Sequence, residues 1–329
     1  MLIAGDIGGT KTDLAIYSKE FGPHAPLGQA QFHSADFPSL EAMVAMYLDE
    51  VKLKVDVGSF DIAGPVIDGR ARTTNLPWVM DEAQLARDLK LKSVHLMNDL
   101  QAVARAVPVL RPTDLVTLNP GRPVPKAAIA IIAPGTGLGE SFLTWDGERY
   151  VAHSSEGGHS DFAPTNELQI RLLRFLLGRF DHVGVERVCS GVGVPNVYEF
   201  LRDAEKIPER PEVAQRIAAA PDRTKVILEA GSAPDAKSDL CRATVDLLVS
   251  ILAGEAGNLA LKVFATGGLY IAGGVAVHLL SALKQPSFVQ TFAQKGRFKE
   301  LMERIPTHVI TARAALLGAA TYGLERLKE

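Results

Sequence analysis

The chain has 329 residues, 47% hydrophobic and 22% charged, with 35 Lys and Arg against 38 Asp and Glu. At about 150 residues per domain, that length suggests two domains with material for sizeable cores. The formal net charge of -3 argues against a dedicated nucleic-acid or anionic-membrane surface, which normally leaves a basic excess. Leu2-Ile3-Ala4 runs into Gly5-Asp6-Ile7-Gly8-Gly9-Thr10, and Thr12 to Tyr17 resumes an apolar run, which predicts two strands joined by a glycine turn. Gln29 to His33 reads as a third strand of that meander. Leu40, Met43, Val44, Tyr47 and Leu48 fall at helical spacing. Val57 to Ile62 is a buried strand entering Gly64-Pro65. Leu85, Leu89 and Leu91 predict a helix, Val94 to Met97 a strand ending at Asn98-Asp99, and Ala102 to Val107 a helix stopping at Pro108.

Pro108, Pro112, Pro120, Pro123 and Pro125 mark a linker or hinge. A second cycle follows: a strand over Ala127 to Ala133, the turn Gly135-Thr136-Gly137-Leu138-Gly139, a returning strand over Ser141 to Trp145, and the hairpin signal Asp146-Gly147. This repetition is the nearest approach to an internal repeat. Asn166 to Phe264 is helical in period, apart from a polar interlude around Pro208 to Pro221. Leu269 to Ala272 predicts a short buried strand opening through Gly273-Gly274 into a helix. The last helix, Ala314 to Leu327, is expected to pack on the first domain.

Cys189 and Cys241 are too few for a disulfide framework or a cysteine-built zinc site, and they fit a reducing compartment. No uninterrupted apolar run of 18 residues is found, so a membrane span is not expected. Asp6 precedes any long apolar run, so a signal peptide is not expected either. A cytoplasmic enzyme is the expectation.

Five motifs and one lone acid bear on chemistry. In the first glycine loop, Asp6 ends a strand ahead of Gly8, Gly9 and Thr10. Glycines let backbone N–H groups approach phosphate oxygens, and a carboxylate there is kept from the phosphates by Mg2+ and its waters. A plain hairpin turn is the alternative. The second loop, Gly135 to Gly139, lies between strands, where a dinucleotide fingerprint needs a helix. Asn98-Asp99 lies at the carboxyl end of a strand and suits either a general base with a polyol contact or a helix N-cap. Glu156-Gly157-Gly158-His159 places a carboxylate and an imidazole in one loop, better suited to hydroxyl recognition than to a metal. Glu186, on local evidence, is an ordinary solvated acid. Gly273-Gly274 suits close approach of a nucleotide or tight strand-to-helix packing.

Taken in order, these residues resemble the bacterial glucokinase family of the hexokinase/actin-like ATPase superfamily, from end to end of the chain. Gly5 to Thr10 is similar to its first phosphate loop, Leu96 to Asp99 to the strand with its catalytic Asp, Gly135 to Gly139 to its second phosphate loop, and Leu269 to Gly274 to its adenosine loop. Glu156 to Pro164, Glu186-Arg187-Val188 and Lys295 to Lys299 also match. The resemblance implies a two-domain α/β fold of the actin-like (ribonuclease H-like) type, with mixed sheets flanked by helices and an interdomain cleft. The expected domains are 1–110 with 312–329, and 111–311. The implied activity is transfer of the ATP γ-phosphoryl group to the 6-hydroxyl of D-glucose, the first step of glycolysis. The resemblance makes Asp99 the general base and Asn98, Glu156, His159 and Glu186, with Asp99, the glucose contacts. It places ATP on Gly5, Asp6, Ile7, Gly8, Gly9, Thr10, Gly135, Thr136, Gly137, Gly273 and Gly274, and Mg2+ near Asp6 through water. It further implies a zinc-free homodimer binding neither nucleic acid nor membrane. A kinase for another hexose or amino sugar, and a non-catalytic sugar or nucleotide sensor, are the alternatives. Two positions depart from the family pattern. Glu140 follows the second loop, where a small or apolar residue is usual, and its side chain is expected to face solvent. Leu76-Pro77-Trp78 follows Asn75 in place of a polar stretch.

Overall fold

The structure, a computed structural model, describes residues 1–73, 76–232 and 239–327. The chain divides into two compact units, Met1–Arg111 with Tyr150–Ala152 and Ala312–Glu329, and Pro112–Arg149 with His153–Thr311.

The first unit contains β1 (Leu2–Ile7), β2 (Lys11–Tyr17), β3 (Gly28–His33), α1 (Leu40–Val51), β4 (Val57–Ile62), β5 (Val66–Ile67), β6 (Arg70–Arg72), β7 (Val79–Asp81), α2 (Glu82–Asp88), β8 (Ser93–Asn98), α3 (Asp99–Ala106) and the last helix, Ala314–Arg326. Its main sheet has the order β3-β2-β1-β4-β8, an antiparallel meander followed by two strands parallel to β1. Alternation along β1 explains its two-sided burial. Ile3 and Ile7 join Leu14, Phe60 and the α1 residues Leu40, Met43 and Val44 in one core. Leu2 and Ala4 turn the other way and pack on Leu316, Ala319 and Ala320 of the last helix. A second sheet, β5-β6-β7, is small.

The second unit contains β9 (Leu115–Asn119), β10 (Ile129–Pro134), β11 (Leu138–Trp145), the part of β12 (Tyr150–Ser155) from His153 on, α4 (Glu167–Leu177), α5 (Gly193–Asp203), α6 (Pro211–Ala219), α7 (Arg223–Ser232), α8 (Asp239–Lys262), β13 (Gly268–Ile271) and β14 (Thr307–Ile310). Its sheet order is β12-β11-β10-β13-β14-β9. Here too a meander is followed by two strands parallel to its inner member, so the repeated strand–glycine turn–strand of the sequence is a repeated topology.

Three readings need correction, and one long apolar helix needs placing. The helix over Leu85 to Leu91 stops at Asp88, because Lys90 takes a positive φ of 56°; Leu91 reaches the core from the following loop. The proline-studded segment is no simple linker, since β9 lies within it and pairs antiparallel with β14. Prolines at its flanks cost that edge strand no ladder hydrogen bond. The polar interlude around Pro208 to Pro221 holds α6, which starts at Pro211 and buries Val213 and Ile217 one turn apart. Finally, α8 is long and apolar enough to cross a membrane by length and composition, but 72% of its apolar window is buried inside the protein. It is the central core helix of the second unit. Asn75 lies outside the described residues; Trp78, after it, is buried and donates its indole N–H to Phe37 O at 3.2 Å.

Candidate active site

In the first unit, the parallel strands β1, β4 and β8 deliver acidic residues to their carboxyl ends. Asp6 pairs in register with Asp13 on β2 and with Asp61 on β4, so three carboxylates form one row across adjacent strands. Asp99 follows β8 directly. Arg313, at the N-terminus of the last helix, binds Asp13 at 2.6 Å, and Gln31 Nε2 donates to the same carboxylate at 3.1 Å. Asp61 is fully buried, and its carboxyl meets no partner beyond the neighbouring Asp6 carboxyl. Burial, then the charges of Asp6 and Asp99, holds its carboxyl well above the usual range. Asp6 is pushed up to about 6, chiefly by burial, with contact to Asp61 opposing and the charges of Asp13 and Asp99 adding. Asp61 was invisible to the sequence reading; a lone acid in the apolar run Val57 to Ile62 is the signal that marks it.

The loop after Asp6 is held by its own backbone. Gly8 N–H donates to Lys11 O at 3.0 Å, and Ser34 Oγ donates to Gly8 O at 2.8 Å. A Cβ on Gly8 would stand 2.6 Å from Lys11 O, so the turn requires glycine. Gly5 and Ile7 lie in β1; Ile7 is buried, and a Cβ on Gly5 would meet Leu14 and Phe60. Thr10 is exposed at the tip.

Of the two roles open to Asn98-Asp99, the helix cap falls to Asn98. Asn98 is the N-cap of α3: its Oδ1 accepts from Leu100 N at 2.9 Å and Gln101 N at 3.3 Å, and its Nδ2 donates to Gly64 O at 3.0 Å. Asp99 accepts from Leu100 N at 2.8 Å. Burial raises its pKa, with the Leu100 amide and Asn98 pulling the other way. It is thus a half-buried carboxylate of enhanced basicity at the end of a parallel strand.

In the second unit, the loop Gly135–Gly137 closes the β10–β11 hairpin. Gly191 N–H donates to Gly135 O at 2.8 Å and Val192 N–H to Thr136 O at 3.0 Å, fixing its carbonyls. Gly273 has a φ of 89°, and a Cβ there would stand 2.5 Å from Pro134 O, so the Gly273-Gly274 turn is pressed against this loop. Glu186 is no ordinary solvated acid. It sits on a 3-10 turn, Val185–Arg187, where its Oε2 accepts from Leu138 N at 3.0 Å and fills the space a Gly137 side chain would need. Glu186 and His159 line one cavity of about 390 Å³, together with Arg179, Phe180, His182 and Arg187. Glu156 is 87% exposed and lies 4.0 Å from the His159 ring.

Glu140 is the clear reversal. It is only 2% exposed, and its carboxyl end lies against Gly157. Strand alternation puts it on the buried face with Leu138. Lys295 of the Lys295 to Lys299 motif is structural: its Nζ donates to Gly254 O at 2.9 Å and Asn258 Oδ1 at 2.6 Å on α8.

Among the described residues, no three His, Cys, Asp or Glu side chains converge to ligate a metal directly. The acidic row is nevertheless rich in oxygen, faces a single arginine and contains the orphaned Asp61 carboxyl. Such a setting fits a hard divalent cation held near Asp6 through water.

The architecture is that of an actin-like ATPase, a fold shared with solved sugar kinases. A crystal structure of a glucokinase from an Antarctic psychrotroph superposes with a TM-score of 0.84 over 98% of both chains at 28% identity. A ROK family glucokinase from Streptomyces griseus, solved in complex with glucose and AMPPNP, shares the fold with a TM-score of 0.65, covering 98% of this chain and 99% of its own at 19% identity. The family model described as Glucokinase matches residues 3–326, and a glucokinase from Nostoc punctiforme is 41% identical over 334 residues, 97% of this chain and 98% of its own. The chain belongs to the glucokinase family.

Proposed function

We infer that the protein transfers the γ-phosphoryl group of ATP to the 6-hydroxyl of D-glucose, giving glucose 6-phosphate and ADP without a phosphoenzyme. The observation that supports this most directly is Asp99, a carboxylate of raised basicity one residue past the end of β8, a strand of the sheet that carries Asp6. Its carboxylate takes the proton of the attacking hydroxyl as the oxygen bonds to phosphorus, which is the role a general base must fill. Asn98 orients Asp99 by capping α3. Asn98, Glu156, His159 and Glu186 pair with the remaining ring hydroxyls, and a sugar lacking one of these would leave polar groups unpaired. Gly8, Gly9, Thr10, Gly135, Thr136, Gly137, Gly273 and Gly274 offer backbone to the nucleotide; Gly5 and Ile7 hold Asp6 in β1. Positioning of this kind is most of what phosphoryl transfer asks of a protein. Magnesium, held near Asp6 through water, supplies the positive charge that offsets the phosphates. A cytoplasmic homodimer serving the first step of glycolysis, with domains 1–110 plus 312–329 and 111–311, completes the reading.

The test is a coupled assay for glucose 6-phosphate with ATP and Mg2+, on wild type and Asp99→Asn together. Turnover that collapses in the variant supports the reaction and the base. No glucose turnover, with another hexose or an amino sugar phosphorylated instead, moves the assignment to that sugar.

A further inference from the structure

Behind the Glu156–His159 loop, the second unit buries two acids that the proposed chemistry does not use. Glu140 on β11 is 2% exposed and Glu255 on α8 is 5% exposed, and each keeps its Oε1 without a hydrogen-bond partner. Glu255 is the better compensated. Its Oε2 accepts from Asn258 Nδ2 at 2.9 Å, and Lys262 Nζ stands 3.7 Å from its Oε1. Among the described residues, Glu140 has no such cation within bonding reach. Instead its Oε2 abuts Gly157, where any Cβ would overlap it. The neighbouring Gly158 is packed as tightly on Leu138 O, and the Leu138 N–H is the one bound by Glu186. The opening residues of β11 therefore touch each segment that bears Glu156, His159 and Glu186.

We propose that Glu140 is a positioning residue for the sugar loop: while neutral it seats Gly157 and so holds Glu156 and His159, and its ionisation beside Glu255 unseats the loop and weakens sugar binding. The inference rests on the assignment of glucose to that loop. A carboxylate buried within reach of another's charge is tolerable only with a cation or water at hand. The nearby ammonium groups are engaged elsewhere, Lys262 with Glu255 and Lys295 with Gly254 O and Asn258. Water reaches an ionised Glu140 by displacing the residue its carboxyl end abuts, and that residue is Gly157.

The groups facing Glu140 are few. Glu255 and Lys262 approach from α8, and the buried Cys189 thiol feels both carboxylates. Glu156 and His159 lie on the loop above, while His153 on β12 is turned to Thr144 and Phe142 further along β11. Burial, and after it the charge of Glu255, pushes the Glu140 carboxyl up to about 7, against the pull of Lys262. The change therefore falls near neutrality.

Calorimetric titration of D-glucose into wild type, Glu140→Gln and Glu255→Gln from about pH 6 to 8.5, with turnover measured on the same samples, tests this. The wild-type Kd is expected to rise above about pH 7 by up to about tenfold per pH unit, as binding becomes linked to one proton. Glu140→Gln should hold the tight acid-side Kd throughout, and Glu255→Gln should move the inflection to lower pH. A pH-independent wild-type Kd overturns the proposal, as does an undiminished slope in Glu140→Gln, which would assign the proton to another group such as His159. Should Glu140→Gln fail to fold, an unmoved inflection in Glu255→Gln overturns it alone. Glucose turnover with pH-independent binding sinks this inference and leaves the kinase reading standing; no glucose binding or turnover at any pH sinks both.

Discussion

At Asn98-Asp99 a local signal with two readings is narrowed by the structure. Both Asn and Asp cap helices well, and here Asn98 takes the cap, which leaves Asp99 its basicity. Asp99→Asn should lower kcat about 10²–10⁴-fold, roughly 3–5 kcal/mol of barrier, while glucose still binds; single-turnover kinetics with direct binding checks this. Glu186→Gln should mainly raise the KM for glucose, and an unchanged KM would remove Glu186 from the sugar contacts. Glu140 makes a stability prediction of its own. Its folded pKa of about 7 is above the ordinary 4.5, so its contribution is fully present below pH 4.5 and is lost as pH rises through 7. The loss is roughly 3 kcal/mol. Urea unfolding at pH 5 and pH 8 should show that fall in wild type and a smaller one in Glu140→Gln. None of this was legible locally: Glu140 reads as a solvated strand acid until the packing of β11 under Gly157 is known, and Asp61 reads as a stray charge until β1 is laid beside β4.

Strands, turns and helices were read more securely, because hydrophobic period and glycine turns are local. The β1–β2 and β10–β11 hairpins, β4, β8, α1 and the last helix all stand where apolar spacing places them. The misses share one cause. Strand β9 is an edge strand whose pairing with β14 lies about 190 residues away in sequence, and α6 hides in polar sequence with only Val213 and Ile217 to mark it. Tight backbone contacts between elements are the most exposed to substitution. A Cβ on Gly318, in the last helix, would run into Ala102 O on α3. Gly318→Ala should cost about 1–3 kcal/mol, as overpacking does, measured as a lower thermal midpoint.

The first unit is assembled from both ends of the chain, since Ala312–Glu329 packs with Met1–Arg111. The last helix covers Leu2, Ala4, Ala15, Tyr17 and Val57, an apolar face that has no other use for the strands that present it. Residues 1–111 alone should therefore show no cooperative thermal transition by circular dichroism, and the same segment joined to 312–329 should show one. Cooperative melting of 1–111 by itself would mean that the final helix is dispensable to this core.

By itself the amino-acid sequence determined the two glycine hairpins, the parallel strand ending at Asn98-Asp99, the loop Glu156 to His159 and, through their order, the family. Each of these is written in a few adjacent residues, because turn chemistry and side-chain period act over short distances. Only the tertiary structure decided which acids share a row, which are buried within reach of another's charge and which grip the backbone: the Asp13–Asp6–Asp61 row, Glu140 with Glu255, and Glu186 on Leu138. Burial and proximity set the energy of a charge, and both come from strands and helices that meet in space after being far apart in the chain.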